Sequence, residues 1–212
     1  MFTRHPCHLH HHNSSGSRHR VLPTRWLMTD ERMGEGLWRA LRRVPRGGGV
    51  VFRHYSLSAG ERRRLFARVR RVALLRGLVL VRAGEVRMPG EMGTHKARGR
   101  GVVTWPVHDA REARAARWAK AEVVFVSPVF ATRSHPDGDS IGPRRARMLG
   151  RIAAMPIVAL GGMDEQQFRR LRGFHGYAAI DAWLAGSVSD VRSETRCRHR
   201  PPSCSRSIVA SS

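Results

Sequence analysis

The sequence predicts an α/β domain, a parallel sheet covered by helices, and three observations carry that expectation. Short runs of Val, Ile and Leu recur along the chain, nearly continuous rather than alternating, as strands buried on both faces are. Amphipathic segments of helical period lie between them, so that strand and helix alternate. Polar residues stand at the heads of three of those segments at the spacing a helix start requires.

In chain order, strands are expected at residues 26–29, 50–53, 78–82, 102–105, 123–127, 157–160 and 177–180. Leu37, Ala40, Leu41 and Val44 share one face of the first helix. Leu65, Phe66, Val69, Val72 and Ala73 form the stripe of the second, opened by Ser58 with Glu61 three residues on, a capping box. Asp109 with Glu112, and Asp164 with Gln167, have cap spacing before two later helices, and Met148, Leu149 and Ile152 make a further stripe. The tryptophans at 26, 38, 105, 118 and 183 are scattered and read as core packing. No repeat of solenoid period is present. Two architectures fit this pattern, an open doubly wound sheet and a closed eight-fold barrel. The stretch from 23 to 186 suits the first by length, since barrels typically need ~250 residues, with ~200 as the lower end. No Gly-x-Gly-x-x-Gly follows the first strand, where WLMTDERMG stands, which argues against a dinucleotide site.

Composition bounds the class. The 212 residues are 41 % hydrophobic, enough for a core, so the chain is not a wholly disordered basic protein. No run of eighteen apolar residues exists and the first twenty residues lack a secretory pattern, so a soluble cytoplasmic protein without a membrane partner is expected. Cys7, Cys197 and Cys204 lie near the termini and form no disulfide framework. The net charge of +23 comes from 39 basic residues, of which only Lys96 and Lys120 are lysine. That bias fits an Arg-rich solvated exterior better than a nucleic-acid surface, so nucleic acid is the disfavoured partner, while the positive field favours anions in general. The His-rich residues 1–22 and the Ser/Arg/Pro-rich residues 187–212 are expected to be disordered tails around one domain at 23–186. Nothing in the sequence fixes an oligomeric state.

Two segments carry the chemistry, FVSPVFATRSHP at 125–136 and PIVALGGM at 156–163. In each, a hydrophobic strand runs into small and hydroxylated residues. Gly161 and Gly162 leave backbone N–H groups bare at the end of a strand, where they either close on a phosphate or simply make a tight turn.

These residues resemble a family. The first segment is similar to the G-P-x-F-x-T-x-T-K of thiamine phosphate synthases and their thiazole tautomerase relatives, and the second to I-P-V-x-A-I-G-G-I. WLMTD at 26–30 matches L-Y-L-V-T-D, and VFRH at 51–54 falls on Q-L-R-E-K. VHD at 107–109 falls on S-x-H-S, and GFHG at 173–176 on G-A-D-G. Six segments agree in order and spacing from about residue 26 to 184.

The resemblance implies a TIM-type (β/α) barrel, shortened between Ala83 and Gly101, where nineteen residues replace two helices and a strand and residues 93–95 would be the remnant of strand four. It implies a transferase joining hydroxymethylpyrimidine diphosphate to thiazole phosphate with release of diphosphate, its partners being those phosphorylated pyrimidine and thiazole compounds. Thr132, Ser134, Gly161 and Gly162 would hold the thiazole phosphate, the backbone at Ile180 and Asp181 would grip a phosphate at the eighth strand, and Arg53 would face the diphosphate. His135, a catalytic candidate together with Arg53 and Arg82, stands in the phosphate loop where the family has a lysine, Tyr55 lies near the place of another, and Pro106 replaces a serine. The resemblance also implies Mg²⁺, yet its Asn-Asp pair is Val81-Arg82 here and its second aspartate has no counterpart in residues 96–101. No metal ligand is therefore assigned, and Arg82 either offers a guanidinium in the metal's place or is one more solvent-facing arginine of an Arg-rich chain. The tautomerase branch expects a histidine where Pro128 stands, and His108 reads as a strand-end residue. A catalytically silent phosphate binder is the rival on the same fold, and an Arg-rich nucleic-acid binder the rival of another class.

Overall fold

A computed structural model describes residues 21–131 and 139–185. The expected tails lie outside the described residues apart from Val21 and Leu22. The architecture is a closed barrel of eight parallel strands in sequential order, β1 (Arg25–Met28), β2 (Gly49–Phe52), β3 (Val79–Ala83), β4 (Gly93–His95), β5 (Val102–Val107), β6 (Val123–Val126), β7 (Ile157–Leu160) and β8 (Gly176–Ala179), with β8 pairing back onto β1. Closure resolves the two architectures in favour of the barrel.

Helices cover part of the outside: α1 (Gly36–Arg43), α2 (Ala59–Arg76), α3 (Ala110–Trp118), α4 (Gly142–Ala153) and α5 (Glu165–Arg170). Their starts are those the sequence marks. Ser58 and Glu61 form the reciprocal capping box of α2, Asp109 accepts from the Glu112 amide at 2.8 Å, and Asp164 accepts from the Gln167 amide at 2.7 Å. The stripe on α4 differs. Met148 is exposed, and Ala146, Leu149, Gly150 and Ala153 form the buried face, because the small residues let the helix lie close to β7. Trp118 is likewise 79 % exposed rather than packed in the core.

The register divides each strand between two cores. Trp26, Met28, Val51, Val81, Ala83, Val102, Val123, Phe125, Val158 and Ala178 fill the barrel, while Leu27, Val50, Phe52, Leu80, Val103, Val124 and Ala159 face the helices. Trp26 plugs the interior, its ring edge-on to Phe125 at 5.2 Å and its Nε1–H donating to the Pro23 carbonyl at 2.7 Å. Gly49 is opposite it, and a Cβ there would come within 2.1 Å of the indole, so this stave must be bare.

The shortening is real and does not prevent closure. Neither residues 84–92 nor 96–101 contain a helix, and β4 is three residues long. In place of a helix, the chain between β3 and β4 is pinned to the outer face of β3 by Arg82. Arg82 Nε donates to Glu91 at 2.7 Å, its Nη1 donates to the Gly84 carbonyl, and the same Glu91 carboxylate accepts from the Met88 amide at 2.9 Å. Met88 is then buried beneath the loop. Burial pushes the Glu91 carboxyl up, but the Arg82 and Met88 hydrogen bonds outweigh it and hold its pKa below the ordinary value.

Candidate active site

All eight strands end on one rim, where barrel sites form. On the β7 side, Gly161 and Gly162 have φ of +95° and +60° and lie against the loop after β6. A Cβ on Gly161 would stand 2.9 Å from Pro128 Cα, and one on Gly162 2.5 Å from the Ala131 carbonyl oxygen. Hydrogen bonds from the Val129 amide to Leu160 (2.9 Å) and from the Phe130 amide to Gly161 (3.2 Å) zip the two loops together. The glycines are thus required first by backbone conformation and contact. Among the described residues, the amides of Gly162 and Met163 donate to no acceptor. The amides of Asp181 and Ala182, opening the single 3-10 turn after β8, have none either. Four donors with no partner among the described residues therefore sit at the carboxyl ends of β7 and β8, the arrangement that receives a phosphate in barrels. Thr132, Ser134 and His135 lie outside the described residues; Ala131, which precedes them, touches the Gly162 turn.

Across the mouth, alternation decides which side chains reach the interior. Val51 faces inward, so Arg53, two residues on, continues that row at the rim. Its amide donates to Thr29 Oγ1 at 3.0 Å, its Nε to the Thr29 carbonyl at 2.9 Å and its Nη2 to Asp30 at 3.2 Å. Arg82 falls on the other face. It lies between inward-facing Val81 and Ala83, pairs in register with Thr94, and is 3 % exposed in its contact with Glu91. The structure therefore does not bring Arg82 into the mouth with Arg53, because odd and even positions of one strand part to opposite faces.

His95, which the sequence reading placed only as part of a strand remnant, is the most unusual group in the interior. The register Ala83↔His95↔Thr104 puts it inward, where it is 6 % exposed and edge-on to Phe125 at 5.4 Å. Thr104 Oγ1 donates to the Thr94 carbonyl at 3.3 Å, which uses its one proton, so it accepts from His95 Nδ1–H at 2.8 Å. That fixes the tautomer and leaves the Nε2 lone pair with no partner among the described residues. Burial, reinforced by the positive charges of Arg53 and Lys96, lowers the pKa to about 3, so the ring is neutral at ordinary pH. His54 is also held low by burial, stacked on Phe52 and hydrogen-bonded to Thr29. His108 sits on the surface, paired with Glu112 at 2.7 Å at the head of α3.

No group of three or more His, Cys, Asp or Glu side chains able to hold a metal ion occurs among the described residues. No helix of the described residues is long and apolar enough to cross a membrane.

Residues 71–183 match the model of a family described as thiamine monophosphate synthase. A thiamine-phosphate synthase of Methanosarcina barkeri is 28 % identical over 119 residues, covering 55 % of this chain and 53 % of that protein. The thiamine biosynthesis bifunctional protein ThiM/ThiE of Symbiobacterium thermophilum is 38 % identical over 78 residues, covering 35 % and 16 %. The chain thus spans about half, or less, of the length of these relatives. A solved thiamine phosphate pyrophosphorylase of Pyrococcus furiosus superposes with a TM-score of 0.64 at 20 % identity, covering 82 % of this chain and 93 % of that one, a likeness of fold.

Proposed function

The chain belongs to the thiamine monophosphate synthase family, and from that premise we propose that it is a transferase joining hydroxymethylpyrimidine diphosphate to thiazole phosphate with release of diphosphate. The observation that carries the reading is the set of four amides after β7 and β8 that have no partner among the described residues, a cradle suited to the phosphate of the thiazole. Thr132 and Ser134 would add hydroxyl donors to it, as the family's pattern expects. His95 supports the other half of the reaction. Its neutral imidazole offers a fixed acceptor, Nε2, beside the flat ring of Phe125, a setting that suits an aminopyrimidine presenting an N–H. Arg53, at the rim, would face the diphosphate. The leaving group departs as an anion, so catalysis is mostly positioning and electrostatic stabilisation in a site kept dry by Trp26, Phe125 and Met28.

Incubating the full-length protein with both substrates, with Mg²⁺ and with chelator, and assaying thiamine phosphate tests this reading. Product supports the synthase, whereas saturable binding of thiazole phosphate with no product in either condition moves the reading to a silent phosphate binder. One observation favours a second reading. Exposed Trp118 stands among Arg114, Arg117, Lys120 and Arg151 on the outer face of α3 and α4, a stacking ring within a cationic surface of the kind that takes single-stranded nucleic acid. Binding that survives 0.2 M salt and falls on Trp118→Ala would favour it.

A further inference from the structure

We infer that Asp30 is a positioning residue of the mouth, its carboxylate setting the direction in which the Arg53 guanidinium meets an anionic substrate. The inference rests on the reading of this mouth as the substrate site.

Arg53 carries a charge that is felt inside the barrel. It continues the inward row of Val51, and its positive charge is one of the two that lower the pKa of inward-facing His95. Arg62 is held elsewhere. Its Nε and Nη2 donate to the His54 and Ala83 carbonyls, and it packs on the helix-facing ring of Phe52.

Thr29 anchors Arg53 without aiming it. Thr29 is fully buried and its amide donates to the Val51 carbonyl at 2.9 Å, so the bond from Arg53 Nε to the Thr29 carbonyl belongs to the pairing of β1 with β2. A guanidinium tied at Nε alone can still swing about that bond. The Asp30 carboxylate removes this freedom, because its Oδ2 accepts from Nη2 at 3.2 Å. Nε and Nη2 form one edge of the planar fork. Fixing both leaves the other edge to an anion, and Nη1 on that edge has no partner among the described residues.

Asp30 is itself held by its own turn. It caps the 3-10 turn Glu31–Met33, its Oδ1 accepting from the Arg32 amide at 3.0 Å and from Arg32 Nε at 2.8 Å, and Arg32 Nη2 reaches Oδ2 at 3.3 Å. Those bonds keep the carboxyl below its ordinary pKa and set where Oδ2 stands. The fixity of the turn thus passes to Arg53. Such a carboxylate also has a cost. It subtracts charge from a site that must attract anions, so on charge alone its removal tightens binding. What it contributes is orientation, and a misplacement of about 1 Å at a reacting centre can slow a reaction about a hundredfold.

Asp30→Asn separates the two effects. Asparagine caps as well as aspartate, but with its carbonyl oxygen on the Arg32 amide it sets an N–H donor against Arg53 Nη2. Steady-state kinetics of thiamine phosphate formation by the full-length protein should show kcat lowered about ten- to hundredfold, with KM for the pyrimidine diphosphate within about threefold. Asp30→Ser, which caps but is too short to reach Arg53, should do the same and stands in if Asp30→Asn does not fold. In an Arg53→Gln background, Asp30→Asn should change kcat by less than about twofold, as expected of a residue that acts through Arg53. Equal losses in both backgrounds, or tighter binding with kcat unchanged, overturn the inference. If the native protein forms no thiamine phosphate, the synthase reading fails, and titration calorimetry of the same four proteins with inorganic diphosphate decides Asp30. Asp30→Asn should then be at least about fivefold less favourable to binding in the native background than in the Arg53→Gln one. An equal effect in both, or no diphosphate binding at all, overturns it.

Discussion

The buried neutral His95 ties stability to pH in a way that can be isolated. Its folded pKa is about 3, whereas an unfolded histidine titrates near 6.5. Between those values the unfolded chain binds a proton that the folded chain refuses, so stability is fully present above pH 6.5 and is lost as pH falls. Integrating this difference from pH 7 to pH 5 gives a loss of about 2 kcal/mol from this residue alone. The figure is insensitive to the exact folded value, because at pH 5 a site titrating at 3 or 4 is already almost wholly neutral. Urea denaturation at pH 7, 6 and 5 on the native chain and on His95→Gln measures it. Glutamine keeps a donor for Thr104 but cannot titrate, and subtraction cancels the other histidines. With a slope of about 2 kcal/mol/M for a domain of this size, the midpoint of the native chain should fall by roughly 1 M more than that of the variant. Parallel curves for the two proteins would mean that His95 is hydrated or charged in the fold, and the argument for Nε2 as a free acceptor would go with it.

Other outcomes follow from the same contacts. Arg82→Ala strands Glu91 beneath the β3–β4 chain and should cost about 3 kcal/mol in urea unfolding, whereas Arg82→Met with Glu91→Leu should recover most of it. Because the folded Glu91 pKa lies below its unfolded value, its contribution is present above about pH 4.5 and is lost as pH falls through the folded pKa; Glu91→Gln should flatten that part of the acid-unfolding curve. Gly161→Ala meets both a φ of +95° and Pro128 at 2.9 Å, and should lower stability by about 1–3 kcal/mol and weaken thiazole phosphate binding in calorimetry. Gly49→Ala presses on the Trp26 indole, and a cost of about 1–3 kcal/mol should accompany a shift in tryptophan emission.

Seven strands were legible because buried parallel strands are apolar on both faces, and the same property hid their orientation. Nothing in VLVRA says whether Arg82 or its neighbours face inward; only the register against β2 and β4 decides it. β4 was half-legible, since Gly-Thr-His carries no apolar run and is recognisable only from its place in the order. His95 was missed for that reason, although counting Ala83, His95 and Thr104 across three paired strands would have placed it inside. Gly161 and Gly162 admit two readings in the sequence, bare amides or a tight turn, and neither reveals their contact with residues 128–131, which lie about thirty positions away and give no local signal. Arg62 was invisible among so many arginines, its distinction being the carbonyls of His54 and Ala83, which only folding brings to it.

The short β4 has a consequence for how the molecule breathes. It contributes three residues to the ring, and the segments on both sides of it carry no helix to protect their outer face. Amide protons along residues 93–95 should therefore exchange with solvent deuterium faster than those of β6 or β7, against which α4 packs. A ring that opens at one stave becomes a twisted ribbon with two raw edges. Those edges belong to β3 and β5, so the first partly open form of this protein exposes the strands that border His95, and it is there that self-association on heating would begin.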